Sequence, residues 1–408
     1  MRLKDVAILN PNYIGADLGD ELVSFSPMEC LRFDNLRPYT IPFKNAKGKY
    51  TYFANNDVLF AKVTPCFENL NTAVAANLLN GIGFGSSEIN VLRFSEDCYA
   101  RYFFYLVCSR SFIDNGCASM CGVGGLKRVN PLAVTTFEFE LPSRLEQEAI
   151  AAYLDKECGK IGKMIGLLER KVDCYRLLKR SLINQTVIRG INPNVTMKPS
   201  GILMLGNIPQ HWQICRIKSL FDERVELSET GTEVLLSVSE YYGVAKRADI
   251  VEGENISRSD SLNGYKICHV NDIVSNIMLA WKGSLGRTSY NGIVSPAYGV
   301  YKPIIELDSS YYHYLFRTDI YKGLFRINSR GIIESRLRLY TPNFLAIHTI
   351  YPPIKEQHEI VAYLDDKCNK IDAIINKIES KIELLKELKR SLINEVVTGQ
   401  RAINISKS

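Results

Sequence analysis

LPSRLEQEAIAAYLDKECGKIGKMIGLLERKVDCYRLLKRSLINQTVIRG occupies residues 141–190, and YPPIKEQHEIVAYLDDKCNKIDAIINKIESKIELLKELKRSLINEVVTGQ occupies residues 351–400. The second stretch is the first displaced by 210 positions (388 minus 178 for the shared LKRSLIN), and about half of the aligned positions between Pro142 and Val187 are identical. That period is far too long for a solenoid. It marks the duplication of a whole unit, and the reading of these two stretches decides the architecture.

Both stretches read as helices. Ser143 and Glu146 have capping-box spacing, Pro142 and Pro352 stand just ahead of the two starts, and Gly190 and Gly399 follow the last periodic residues. In the second copy apolar residues fall at Ile371, Ile375, Ile378, Ile382, Leu385, Leu392 and Val396. The first copy repeats the series at Ile161, Ile165, Leu168, Val172, Tyr175 and Leu182. Steps of four and three make this the seam of a coiled coil, interrupted at the matching residues Lys179 and Lys389. Two such helices are expected to pack on each other.

Ahead of each helix lies a region of different texture. Short β-branched and aromatic runs broken by Gly, Asn and Pro, such as YTYFANNDVLFAKVTP and DIVSNIMLAW, alternate with short helical stretches such as YARYFFYLVCSRSF and SSYYHYLFRTDIYKGLF. The segment 190–212, rich in Pro, Gly and Asn, separates the halves. The expected organisation is a first globular domain at 1–140, a helical region at 141–190, a linker and second domain at 191–350, and a second helical region at 351–408. The fold class is α+β, with two pseudo-repeated mixed domains joined by two long helices, whose relative direction depends on what lies between them. Asn56-Asp57-Val58 answers Asn271-Asp272-Ile273, Tyr105-Leu106 answers Tyr314-Leu315, and GLKRV (125–129) answers SRLRL (335–339). Scaffolds kept alike with surfaces allowed to diverge suit two modules that read two different things.

Composition narrows the class. The chain of 408 residues is 46% hydrophobic and 23% charged, with a formal net charge of +6. No apolar run reaches the roughly 18 residues of a membrane span, and MRLKDVAILNPNYIG lacks the apolar core of a signal peptide. The 11 cysteines and five histidines form no set of ligand spacings for a closed zinc site, which leaves buried free thiols of a reducing cytoplasm. Common catalytic signatures are missing as well. There is no GxxxxGK[ST] phosphate loop and no GxSxG elbow, KGSLGRT (282–288) is wrongly spaced, and GIGFG (81–85) and GVGGLK (122–127) read as loops. No Asn-Pro-Pro-aromatic tetrapeptide occurs, and Gln357-His358-Glu359 has no second histidine one turn away.

A modest net charge of +6 fits contact with an anionic polymer over a limited surface, and equally an ordinary soluble enzyme. Candidate DNA contacts in the first half are Lys62, Thr64, Asn69, Asn71, Lys127 and Arg128. In the second half they are Lys246, Arg247, Trp281, Lys282, Arg287, Arg336 and Arg338. Arg and Lys neutralise phosphates or read guanine, Asn pairs with adenine, and Trp can stack on a base.

The tandem order of variable domain, EQ–YLD helix, variable domain and EQ–YLD helix resembles the specificity subunits of type I restriction–modification systems. SGILMLGNIPQHWQICRIK, DVLFAKVTPCFENLN and AWKGSLGRTSYNGIVSPAY are similar to that family too. The resemblance implies a non-catalytic cytoplasmic subunit whose two target-recognition domains each read one half of an asymmetric bipartite double-stranded DNA sequence. It also implies that the two long helices form an antiparallel coiled coil, that two methyltransferase subunits, which bind S-adenosylmethionine, and restriction (translocase–endonuclease) subunits are partners, and that there is no cofactor or metal in this chain and no membrane. A helix of roughly 30 residues, Cys158 to Ile188, spans about 45 Å. One turn of B-DNA is about 34–36 Å, so the helices are long enough to serve as a ruler. A non-catalytic coiled-coil adaptor that binds protein partners is the competing reading.

Overall fold

The computed structural model describes residues 1–122, 125–250 and 261–403, so Val123 and Gly124 of GVGGLK lie outside the described residues. The chain divides into two compact units, Met1–Arg170 with Ile378–Ser408, and Lys171–Lys377. Each unit holds one globular region, the first part of the helix that follows it, and the last part of the other long helix.

In the first unit, a four-stranded antiparallel sheet is built from β1 (Ala7–Leu9), β2 (Val58–Ala61), β3 (Thr72–Val74) and β4 (Ile89–Phe94), in the order β1-β4-β2-β3. A second sheet has the order 39–42, 22–26, 82–85, 51–54, in which 22–26 and 82–85 run parallel. Helices α1 (Ala100–Val107) and α2 (Arg110–Ala118) follow. The long α3 (Arg144–Arg189) comes next.

The second unit repeats the plan. Strands β5 (Phe221–Glu223), β6 (Ile273–Asn276), β7 (Leu285–Arg287) and β8 (Tyr298–Pro303) make an antiparallel sheet in the order β5-β8-β6-β7. A hairpin of Leu236–Ser239 with Gly243–Lys246 and a pair of Lys266–Cys268 with Gly292–Val294 stand for the second sheet, linked by a parallel bridge between Leu235 and Ile293. Helices α4 (Ser309–Phe316), α5 (Asp319–Asn328) and the long α6 (Ile354–Val397) complete it.

The repeated dipeptides have structural work. Asn56 and Asn271 take positive φ (69° and 75°), a conformation that asparagine tolerates better than most residues. The aspartates that follow close the turns. Asp57 accepts from the Ala54 amide and from Arg93 Nε and Nη2 (2.7–2.8 Å), and Asp272 accepts from the His269 amide and from Arg224 Nε and Nη2 (2.8–3.2 Å). Both carboxylates are buried, so each needs its arginine.

The repeated helix starts are bolted to the globular regions in the same way twice. Ser143 and Glu146 make the reciprocal capping bonds. The side chains of Gln147 and Gln357 are buried. Gln147 donates to the Pro142 carbonyl (3.0 Å) and accepts from the Tyr99 amide (2.8 Å) at the start of α1. Gln357 does the same with the Pro352 carbonyl (2.8 Å) and the Asp308 amide (2.9 Å) at the start of α4. Two turns on, the Tyr105 hydroxyl donates to Asp155 (2.7 Å) and the Tyr314 hydroxyl to Asp365 (2.6 Å). These contacts explain why EQ and YLD recur.

Within each unit the two helix segments run antiparallel. In the second unit Lys179 meets Asp372, while Val187 and Ile188 share a core with Ile360 and Leu364. In the first, Leu154 and Cys158 share a core with Leu392, Ile393 and Val396. Of the seam residues, Val172, Ile371, Ile375, Ile378, Ile382, Leu392 and Val396 are buried, and Ile161, Ile165, Leu168, Tyr175, Leu182 and Leu385 are half-buried. All 11 cysteines are free. The expectation that they are buried needs correction, since Cys121 and Cys174 are exposed, the latter on the outer face of α3.

Candidate nucleic-acid interface

In the first unit, main-chain pairing gathers four of the sequence candidates. The Thr64 amide donates to the Lys127 carbonyl (3.0 Å) and the Val129 amide to the Lys62 carbonyl (2.8 Å), so Lys62, Thr64, Lys127 and Arg128 lie along one ladder. Lys127 is exposed. Arg128 is exposed but grips Glu88 through Nε (2.9 Å) and Nη2 (2.8 Å), and this bond is the main cause that lowers the Glu88 pKa. Glu88, which sequence reading missed, therefore offsets part of the patch. The Thr64 hydroxyl is bonded to Glu68.

Asn69 is exposed, whereas Asn71 is only 8% exposed. The assignment of Asn71 as a DNA contact is corrected on that ground: it closes the turn after Leu70, where its amide donates to the Cys66 carbonyl (3.1 Å).

In the second unit the candidates cluster around the loop between β6 and β7. Trp281 is likewise corrected from stacking platform to core, since it is 8% exposed and its indole Nε1 donates to the Met278 carbonyl (3.1 Å). Lys282 beside it is exposed, with Nζ 5.1 Å from the indole ring. Arg287 is half-buried; its amide donates to His313 Nδ1 (3.2 Å) and its Nε to Asn271 Oδ1 (2.8 Å). Burial first, then the charges of Arg317 and Arg287, push the His313 pKa down to about 3, so this ring is a neutral acceptor. Lys246 and Arg247 close the nearby hairpin, with Lys246 Nζ 4.9 Å from the Tyr290 ring.

The third cluster is a loop present in both units. Residues 330 and 338 exchange main-chain hydrogen bonds (2.9 Å each), as do 121 and 128 (3.0 and 2.9 Å). Gly331 and Gly122 follow the first pairing residue at φ 143° and 149°, where an added Cβ would lie 2.5 and 2.4 Å from a carbonyl oxygen. Only glycine fits both. The loop at 330–338 carries Arg336, exposed, and Arg338, half-buried and donating to the Leu337 carbonyl (2.9 Å). GLKRV and SRLRL are thus the returning arms of equivalent hairpin loops.

Sequence reading also missed Arg317, Tyr241 and Tyr242. The phrase SEYYG carries a turn signal, but nothing in one sequence says that its aromatic pair faces solvent. Among the described residues no group of three or more His, Cys, Asp or Glu side chains is arranged to hold a metal ion, and no helix is long and apolar enough to cross a membrane.

A family model described as the type I restriction modification DNA specificity domain matches residues 209–384. The specificity subunit of the type I restriction enzyme EcoAI of Escherichia coli is 36% identical over 152 residues, which cover 36% of this chain and 26% of that protein. The corresponding subunit of EcoEI, also of Escherichia coli, is 32% identical over 158 residues, covering 38% and 26%. The match thus spans about a quarter of the length of each curated relative. Among solved structures, a chain from a study of assembly and conformational transition in the type I R-M system superposes with a TM-score of 0.71 at 16% identity, over 98% of this chain and 97% of that one. The HsdS subunit from Thermoanaerobacter tengcongensis gives a TM-score of 0.52 at 16% identity, over 98% and 96%. These two share the fold. The specificity domain is thus matched over the greater part of the second unit, and the first unit repeats the same sheet order.

Proposed function

We propose that this chain is the non-catalytic DNA-recognition subunit of a cytoplasmic type I restriction–modification complex. Each unit reads one half of an asymmetric bipartite duplex target, and the paired long helices set the unread spacer between the halves. The chain directs two methyltransferase subunits, in which S-adenosylmethionine binds, and the restriction subunits that join them. The observation that carries this reading is one scaffold built twice, with repeated anchors (Asp57 and Asp272, Gln147 and Gln357) beneath loops that differ in sequence and charge. Anchors kept alike under divergent loops are what two readers of different half-sites require.

The test is selection from a randomised duplex library by the full chain co-expressed with a modification subunit. A bipartite motif whose capture falls steeply with salt is expected. Capture of protein alone, with no sequence preference, would instead support the adaptor reading.

A further inference from the structure

The hairpin of the second unit turns through only three residues, Glu240, Tyr241 and Tyr242. Tyr241 is 82% exposed and Tyr242 45%. Aromatic rings left in water at a turn add nothing to a core.

The backbone beneath them is nevertheless held firmly. Arg317 Nη1 donates to the carbonyls of Ser239 (3.2 Å), Gly283 (3.3 Å) and Leu285 (3.0 Å), and Nη2 to those of Glu240 (2.9 Å) and Tyr241 (2.9 Å). One half-buried guanidinium thus ties the turn to the loop that carries Lys282 and to the start of β7, the strand that ends in Arg287. The hairpin also rests directly on β7. A Cβ on Gly286 would meet His313 Nδ1 at 2.7 Å and lie 3.5 Å from the Gly243 Cα, and one on Gly243 would meet His313 Cε1 at 2.9 Å. No slack is left on that side.

The corresponding connection in the first unit, between Leu22–Ser26 and Tyr39–Pro42, is residues 27–38 rather than 240–242. The two units therefore diverge here in length as well as in sequence.

Resting on the DNA-recognition reading above, we propose that the Glu240–Tyr241–Tyr242 turn is a base-contacting tip for the half-site read by the second unit. It enters the major groove as a two-stranded ribbon, and Arg317 is its positioning residue. A groove about 12 Å wide admits such a ribbon. A tyrosine hydroxyl both donates and accepts, its ring packs against a thymine methyl, and the Glu240 carboxylate accepts from cytosine N4. Lys282, on the loop held by the same guanidinium, is placed for phosphate.

The test uses the full chain co-expressed with its modification subunits and a randomised duplex library. Tyr241→Ala with Tyr242→Ala removes only exposed rings, so the fold is not threatened. Base preference in one half of the motif should fall roughly tenfold while the other half stays intact. Arg317→Lys keeps the charge but loses the fork, so it should relax the same half without altering the salt dependence, with a lowered melting temperature that the double tyrosine variant does not show. An unchanged motif in the double variant, or an equal loss across every position, overturns the proposal. If the wild-type complex selects no sequence at all, the DNA-recognition reading itself fails and takes this inference with it.

Discussion

Lys179 Nζ lies 2.6 Å from Asp372 Oδ2 and 2.7 Å from Oδ1, and this pair explains why a lysine interrupts one apolar seam. The matching lysine of the other copy, Lys389, has no such carboxylate, because Gly162 stands where Asp372 would (372 minus 210). Lys389 instead places its ammonium 3.6 Å from the centre of the Phe33 ring, near Cys158 and Cys108, where burial lowers its pKa. The same heptapeptide thus holds a satisfied lysine in one unit and a desolvated one in the other.

The two lysines should therefore respond differently to substitution by methionine. Lys389→Met keeps the stem and removes a poorly solvated charge, so it should stabilise the first unit by about 1 kcal/mol. Lys179→Met breaks a half-exposed pair and should cost less than about 1 kcal/mol. Since the folded Lys389 pKa lies below 10.5, the unfolded chain binds the extra proton between the two values. Stability then rises with pH across that window, and the rise should vanish in Lys389→Met. Thermal melts at pH 8 and pH 10 measure it.

His313 gives a pH dependence at the acid end. Its folded pKa of about 3 lies below the ordinary 6.5, so the unfolded state takes up the proton first as the solution is acidified. Stability from this group is full above pH 6.5 and is lost progressively toward pH 3. His313→Gln keeps an acceptor for the Arg287 amide and should flatten that part of the profile. Urea titrations at pH 7, 5.5 and 4.5 on both proteins would show it; parallel profiles would rule the assignment out.

The EQ glutamines are structural bolts. Gln357→Ala would leave the Asp308 amide and the Pro352 carbonyl unsatisfied in a buried site, at a cost of about 2–3 kcal/mol. Gln147→Ala should do the same to the Tyr99 amide and the Pro142 carbonyl. Both should appear as lower urea midpoints with DNA sequence preference unchanged, provided enough protein remains folded. A shifted motif with unchanged stability would refute this account.

Much of this was legible from periodicity and repetition. The seam of Ile371, Ile375, Ile378 and Ile382 and the caps at Ser143 and Gly190 follow from local spacing, and the duplicated Asn-Asp, EQ and YLD phrases marked contacts before their partners were known. The partners themselves were not legible. Glu88 neutralises Arg128 across 40 positions, and Arg317 reaches Ser239 across 78; neither separation leaves a local pattern. Residue type likewise did not separate buried Trp281 and Asn71 from exposed Lys282 and Asn69, because their neighbours along the chain are similar while their side chains face opposite ways.

That difference in facing sets the last prediction, which separates phosphate contacts from base contacts. Lys127 and Lys282 are exposed lysines, each able to neutralise one phosphate without geometric demand. Lys127→Ala and Lys282→Ala should each weaken binding uniformly across sequences and reduce the salt slope by about one. Arg287 differs, because His313 fixes its amide and Asn271 orients its Nε. A guanidinium held in this way has the preorganisation that bidentate reading of guanine needs. On the proposed DNA-recognition function, Arg287→Ala should therefore relax the half-site assigned to the second unit roughly tenfold, and Arg287→Lys, which keeps the charge but loses the fork, should not rescue it. Rescue by lysine, with the motif intact, would make Arg287 a phosphate contact instead.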